Sequence, residues 1–176
     1  MLRGDKVLLR ARQDSDIPVL EAELHADVEL RSRTDSRPWR PLPPGSDASQ
    51  YRVRDPLGDP AVFSVVELAS DELAGDALLW GVDQHNRSAH LGLAMLPSFR
   101  GRGLGTDVVR VLCHYGFVVL GLHRIQIETL TDNEAMIRIA QRVGFRREAV
   151  HRHASWVMGE FLDDLVLGLL AREWTP

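Results

Sequence analysis

Leu91-Gly-Leu-Ala-Met-Leu-Pro97, Ser98-Phe99, Arg100-Gly-Arg-Gly-Leu-Gly105 and the amphipathic stretch from Thr106 to Val119 follow one another without a break. An apolar strand enters a glycine- and arginine-rich turn, and the residues after the turn open a helix. A helix N-terminus leaves backbone N–H groups unpaired, and its dipole favours negative charge there, so this local geometry suits a pyrophosphate. Gly101, Gly103 and Gly105 let the backbone approach phosphate oxygens, while Arg100 and Arg102 supply charge. Taken alone, the same pattern also describes an ordinary strand-to-helix turn.

The residues downstream separate the two readings. A second strand from His123 to Thr129 is followed by Asp132-Asn133, a helix from Glu134 to Arg142, and Gly144-Phe145. On this constellation the chain resembles the GNAT superfamily of acyl-coenzyme A dependent N-acyltransferases. Arg100 to Gly105 fits the family's Arg/Gln-x-x-Gly-x-Gly/Ala loop, and Asn133 with Gly144-Phe145 fits its second block. Gly159-Glu-Phe-Leu-Asp163 with Arg172-Glu173-Trp174, and Leu8-Leu-Arg10 with Asp14 to Asp16, look like the RimJ/RimL subgroup, which acetylates protein N-termini and assorted small amines. The likeness covers nearly the whole chain apart from residues 27–60. It implies an α+β fold: a mixed, mostly antiparallel central sheet flanked by helices, with a βαβ cofactor-binding core.

Composition agrees with one domain over residues 1–176, since 176 residues with 44% hydrophobic content can bury a substantial core. A formal charge of −4 argues against broad nucleic-acid binding, although the motif arginines with Arg142, Arg146 and Arg147 can form a local basic patch for a phosphorylated cofactor. Cys113 is the only cysteine, which excludes an intrachain disulfide and a cysteine-rich metal site and fits a cytoplasmic protein. No stretch approaches the roughly 20 apolar residues of a membrane span, so neither a membrane nor a metal is expected.

A strand is expected from Lys6 to Arg12, then a helix from about Ile17 to about Ala26. Residues 27–60 carry Pro38, Pro41, Pro43, Pro44, Pro56 and Pro60 among Ser, Asp and Gly, and read as loop with one short helix. In the family the matching region borders the acceptor site. Trp39 and Tyr51 are its aromatic candidates, with simple anchoring of the loop as the competing role. Runs from Ala61 to Leu68, Asp76 to Val82 and Ala89 to Met95 make an antiparallel meander. The helix from Thr106 to Val119 then crosses over to a strand parallel to the last of these, with the two strands locally splayed or paired. Further strands are expected from Ser155 to Phe161 and from Asp164 to Ala171.

The resemblance implies that acetyl-CoA is the co-substrate and an amine the acceptor. The backbone of Leu93, Ala94 and Met95 would then hydrogen-bond the pantetheine arm. Arg100, Gly101, Arg102, Gly103, Leu104, Gly105 and Thr106 would hold the pyrophosphate, and the Asn133 amide would bind the cofactor arm, a role compatible with capping the second helix. Family members often carry a thiolate-protonating hydroxyl seven residues after the asparagine, but Ala140 stands there; Tyr115 and Ser155 are the substitute hydroxyls weighed. For the amine base, His90 is the nearest ionisable residue on the first motif strand, and an imidazole titrates near neutrality. Glu128 on the second motif strand is the other candidate. The competing readings are a solvent-facing or packed histidine and a surface carboxylate. His151 and His153 lack a third ligand of matching register and read as a solvated basic strand.

Three functions remain open on these grounds: an acetyl-CoA dependent N-acetyltransferase, a transferase using a larger acyl-CoA, and a non-catalytic acyl-CoA-binding module. The acidic residues Asp27, Glu29, Asp35, Asp47, Asp55 and Asp59 would suit a polyamine or aminoglycoside if they line an acceptor groove; otherwise they belong to a solvated loop. Many relatives dimerise, and Trp156, Phe161 and Trp174 are candidates for an interface or for the core.

Overall fold

The computed structural model describes residues 1–43, 45–53, 55 and 57–175, so Pro44 and Pro56 of the proline-rich segment lie outside the described residues. Eight strands form one sheet: β1 (Leu2–Arg3), β2 (Val7–Arg10), β3 (Ala61–Glu67), β4 (Leu73–Asp83), β5 (Ser88–Met95), β6 (Arg124–Leu130), β7 (Arg146–Val157) and β8 (Glu160–Leu170). Their spatial order is β1-β2-β3-β4-β5-β6-β8-β7. Every neighbouring pair is antiparallel except β5–β6. Among the described residues four α-helices accompany the sheet: α1 (Asp16–Leu20), α2 (Val28–Thr34), α3 (Leu104–His114) and α4 (Glu134–Val143); α1 and α3 each continue into one π-helical turn, Glu21–His25 and Tyr115–Val119.

Alternation along the strands decides which side each helix covers. Val7, Leu9, Leu79, Leu91, Ile125 and Leu167 are buried on one side of the pleat, under α3 and α4. Gly116, at the end of α3, permits the closest approach: a Cβ there would stand 2.7 Å from Ile125 Cδ1. The opposite side is polar where α1 meets it. Arg10 pairs with the buried Asp16, which also accepts a hydrogen bond from Ser64 Oγ at 2.7 Å. Burial opposes ionisation of Asp16, yet bonds from Arg10, the Gln13 N–H and Ser64 hold its carboxyl at about 2. Beside it the Arg12 guanidinium bonds Ser64 Oγ, the carbonyls of Phe63 and Tyr51, and Asp76.

The crossover through α3 makes β5 and β6 parallel, as expected, but only briefly. Ser88, Ala89 and His90 pair with Arg124, Ile125 and Gln126, and the ladder ends there although β5 continues to Met95 and β6 to Leu130. The unpaired halves part into a cleft, and the main-chain groups of β5 on that edge have no β6 partner, a feature that a regular sheet avoids.

Two expectations need correction. The strand expected from Ser155 to Phe161 is interrupted by a hairpin turn at Met158 and Gly159, where φ is 46° and 103°. β7 instead begins at Arg146. It is the outermost strand of the sheet and is exposed from Arg146 to Ala154, so it carries no apolar period from which a strand could be read. α3 also starts two residues before Thr106, because Gly103 in the left-handed region (φ 79°) already sets the N-cap. Among the described residues of 27–60 the one short helix is α2, capped by Asp27 accepting the Leu30 N–H at 2.9 Å. Trp39 donates to the His25 carbonyl at 2.8 Å and Tyr51 is buried, so both aromatics anchor the segment on the core.

Candidate active site

The cleft between β5 and β6 leads directly to the start of α3. Leu93, Ala94 and Met95 lie on the diverging edge of β5, past the last residue paired with β6. α2 and α4 are capped by the side chains of Asp27 and Asn133, whereas no side chain caps α3. Its first N–H groups therefore lack intrahelical partners at the end of the cleft, where the dipole is positive. Gly101 and Gly103 have φ of 76° and 79°, a conformation that glycine adopts without strain.

The remaining loop residues divide by role. Arg100 is exposed, and its Nε donates to the Met95 carbonyl at 3.1 Å, tying the loop to the cleft edge. Arg102 turns away: it pairs with Glu67 at 3.1 Å and stacks over the Phe99 ring at 4.7 Å. Leu104 is buried, so it presents only backbone to the cleft. Gly105 is a packing glycine, since a Cβ there would lie 2.9 Å from Ile139 Cδ1 of α4. Thr106 sits in the first turn of α3 beside Gly103. Asn133 caps α4, accepting the Met136 N–H at 3.2 Å and donating to Thr129 Oγ1 at 2.9 Å. One N–H and one lone pair of that amide remain for a ligand.

The two candidate bases are brought together. His90, the last β5 residue paired with β6, faces Glu128 across the strands, with Nδ1 3.5 Å from Glu128 Oε1; this nitrogen is buried and makes no hydrogen bond. Trp80 of β4 stacks on the imidazole at 4.2 Å, and Gln126 donates to Glu128 Oε1 at 2.7 Å. Trp80 and Gln126 escaped the sequence reading because only the strand register puts them beside His90 and Glu128.

The substitute hydroxyls are placed elsewhere. Tyr115 packs edge-to-face on Phe63 at 5.3 Å, and the Ser155 hydroxyl donates to Asp164 at 2.8 Å. Ala140 is wholly buried, so its methyl neither donates a proton nor opens the cleft. The Cys113 thiol is also buried, which pushes its pKa up to about 12 and leaves it inert.

Sequence reading also missed Lys6 and Asp107. The Lys6 ammonium donates to the Arg102 carbonyl at 3.3 Å, over the glycine loop. The buried Asp107 of α3 accepts the N–H groups of Asp5, Lys6 and Val7 at 3.3, 2.7 and 3.0 Å, which clamps the β1–β2 turn against the helix.

Residues 6–146 match the family profile described as an acetyltransferase (GNAT) domain. The chain is 26% identical over 174 residues to an uncharacterized N-acetyltransferase, p20, of Bacillus licheniformis, covering 98% of this chain and 97% of the relative. It is 35% identical over 107 residues to a putative ribosomal N-acetyltransferase of Bacillus subtilis, covering 61% of this chain and 58% of that one. Spermidine N-acetyltransferase from Vibrio cholerae, solved in complex with CoA and spermine, superposes with a TM-score of 0.81 at 18% identity, covering 96% of this chain and 97% of its own, which is a likeness of fold.

Proposed function

This chain belongs to the GNAT family of acetyltransferases, and from that premise we propose that it transfers the acetyl group of acetyl-CoA to a primary amine by direct attack of the amine on the thioester. The observation that carries the reading is the continuity of the β5–β6 cleft with the uncapped start of α3. A thioester arm on the free edge of Leu93 to Met95 would place its diphosphate on the helix N-terminus. Holding donor and acceptor in line then supplies much of the rate.

Glu128 is the base in this reading. It flanks the cleft two residues past the last β5–β6 pair and is partly open to solvent, so it can take the proton of an incoming ammonium directly or through a water. His90 positions it, with the imidazole Nδ1 3.5 Å from Glu128 and the ring held by stacking on Trp80. Glu128→Gln keeps the shape and the Gln126 contact, so kcat should fall about 100-fold with coenzyme A affinity unchanged. Loss of affinity instead, or an unchanged kcat, would remove Glu128 from the role. His90→Ala should produce a smaller fall in kcat and shift the pH–rate profile, an effect that a packing role alone would not give.

We take an α-amino group of a peptide, rather than a polycation, as the acceptor, on the RimJ/RimL-like features of the sequence. Asp35 pairs with Arg31 and Arg37, and although burial opposes its ionisation, bonds from Arg37 hold it at about 2. Asp27 caps α2, Asp55 accepts the Leu57 N–H, Asp59 accepts the Gly81 N–H, and Asp47 lies 3.9 Å from Arg52. Asp35 is thus compensated by two arginines and Asp47 lies near one, while Asp27, Asp55 and Asp59 keep their charge but use carboxylate oxygens on backbone N–H groups that shape the segment. The test is calorimetric titration with acetyl-CoA and coenzyme A, followed by thiol release against peptides with free N-termini and spermidine. Release with peptides supports this acceptor class, and release with spermidine alone reverses it. Binding without release on any amine favours the non-catalytic module, and faster release from a longer acyl-CoA favours the larger donor.

A further inference from the structure

On the sheet face away from α3 and α4, the side of β5 that leads into the cleft carries His90 and then Gly92. In the ladder with β4, Trp80 stands beside His90 and Leu78 beside Gly92. His90 is also the last β5 residue paired with β6, opposite Gln126, so Glu128 comes level with Gly92 where the strands part. The Trp80 side chain leans towards the same point: its indole stacks on the His90 imidazole at 4.2 Å, and its Nε1 would lie 3.9 Å from a Cβ at Gly92. The indole and Glu128 thus flank Gly92 from the two neighbouring strands, and His90, in contact with both, closes the space between them at one end. Strands stand about 5 Å apart in a ladder, and further where they diverge, so a small group fits over Gly92 between the indole and the carboxylate. Trp80 remains 41% exposed, and its indole N–H has no hydrogen-bond partner among the described residues. Glycine inside a strand weakens it and marks places where a ligand or another backbone comes close; the nearest atom that a Cβ at Gly92 would meet is the end of the Leu78 side chain, at 3.1 Å.

An indole N–H only donates and an ionised carboxylate only accepts. A molecule held by both offers an amine to Glu128 and, close to that amine, an oxygen with a free lone pair to Trp80. The first residue of a peptide carries the two groups on one carbon, as its α-amino group and its own carbonyl. We propose that Trp80 is a specificity-determining residue for the acceptor, its indole N–H donating to the first carbonyl oxygen of the peptide whose amine is presented to Glu128. An alkylamine or a polyamine has no such oxygen and leaves the N–H unpaired, and a site built to hydrogen-bond a group discriminates against the analogue that lacks it. Stacking on His90 fixes the plane of the indole, so one imidazole orients both the donor for the carbonyl and the carboxylate for the amine.

This inference rests on the peptide-acceptor reading above, and the experiment separates the two. Thiol release from acetyl-CoA is measured on the full chain with a peptide bearing a free N-terminal alanine and with its thioamide analogue, in which sulfur, a poorer hydrogen-bond acceptor, replaces the first carbonyl oxygen. The unaltered protein should prefer the oxygen peptide about 5- to 10-fold in kcat/KM, mainly through KM. Trp80→Phe keeps an aromatic ring against His90 and removes the N–H, so it should bring that ratio towards one by weakening the oxygen peptide, with the midpoint of the pH–rate profile unmoved. A ratio of one in the unaltered protein overturns the assignment. So does a ratio that Trp80→Phe leaves in place, even if both peptides slow equally, because the indole would then serve the thioester or the fold. A displaced pH–rate profile would show that the ring acts through His90 and overturns it too. In each of these cases turnover of the peptide leaves the peptide reading standing. Thiol release with spermidine but with no peptide overturns that reading, and this inference with it.

Discussion

Gly103→Asp is expected to abolish coenzyme A binding while leaving the protein folded. Gly103 is the N-cap of α3, with φ 79° and no side chain to occupy the helix amides. Aspartate is among the non-glycine residues that best tolerate this region, and its carboxylate would stand beside the N–H groups of the first helical turn. A Cβ at this position meets only the Lys6 ammonium, at 3.3 Å, and a lysine end can move or pair with the new charge. An L residue at φ 79° is strained by about 1–2 kcal/mol, so the fold should hold with a thermal midpoint lowered by a few degrees. The same carboxylate would put bulk and negative charge where a diphosphate must sit and would repel it, so affinity should fall more than about 100-fold. Calorimetry and a melting curve on one sample check both halves. Unchanged affinity would remove the α3 start from the site. Lost affinity with a collapsed midpoint would mean that the glycine serves the fold alone.

That separation of fold from function also explains what could be read from the residues. The passage from Leu91 to Gly105, with Asn133 and Gly144-Phe145, carries strand, turn, cap and helix signals in an order that few folds share, and the βαβ crossover and its cleft followed from it. β7 did not follow, because an exposed edge strand rich in arginine and histidine has no apolar face to mark it. Residues 27–60 were legible only as a proline-rich segment with one helix, since their attachment runs through single long-range bonds such as Trp39 to the His25 carbonyl and Arg12 to the Tyr51 carbonyl. Within the site, the loop glycines were visible, but their division of labour was not: Gly105 owes its place to Ile139, and Arg102 to Glu67 and Phe99, contacts that need the packed helices. His90 and Glu128 stood as separate candidates because a pair 38 positions apart in sequence is joined only by the three-residue parallel ladder.

Arg12→Met should be the most destabilising single change on the polar side of the sheet, by about 3–5 kcal/mol. Arg12 is almost fully buried and holds Asp76, Ser64 and the carbonyls of Phe63 and Tyr51 at one point. Methionine fills much of the volume but leaves Asp76 without its partner. Burial already pushes the Asp76 carboxyl upward, against the opposing pull of Arg12. A buried acid with a raised pKa weakens the fold fully above that raised value. The penalty declines as pH falls through it and is gone below the unfolded value of about 4. Without Arg12 the folded value rises further, so the deficit of the variant should be largest at neutral pH and shrink on acidification. Asp16 and Asp35, whose lowered values make them lose stability between about 4 and about 2, act equally in both proteins and cancel in the difference. Urea unfolding from pH 5 to 8 measures that difference. Asp76→Asn in the Arg12→Met background should recover part of it by removing the charge. A deficit independent of pH and not recovered by the second change would show that Arg12 acts through its carbonyl partners, which pin residues 27–60 to the sheet. Asp76 pairs in register with Ala94 on the cleft edge of β5, so this carboxylate links the footing of the acceptor-side segment to the strand on which the cofactor arm is proposed to lie.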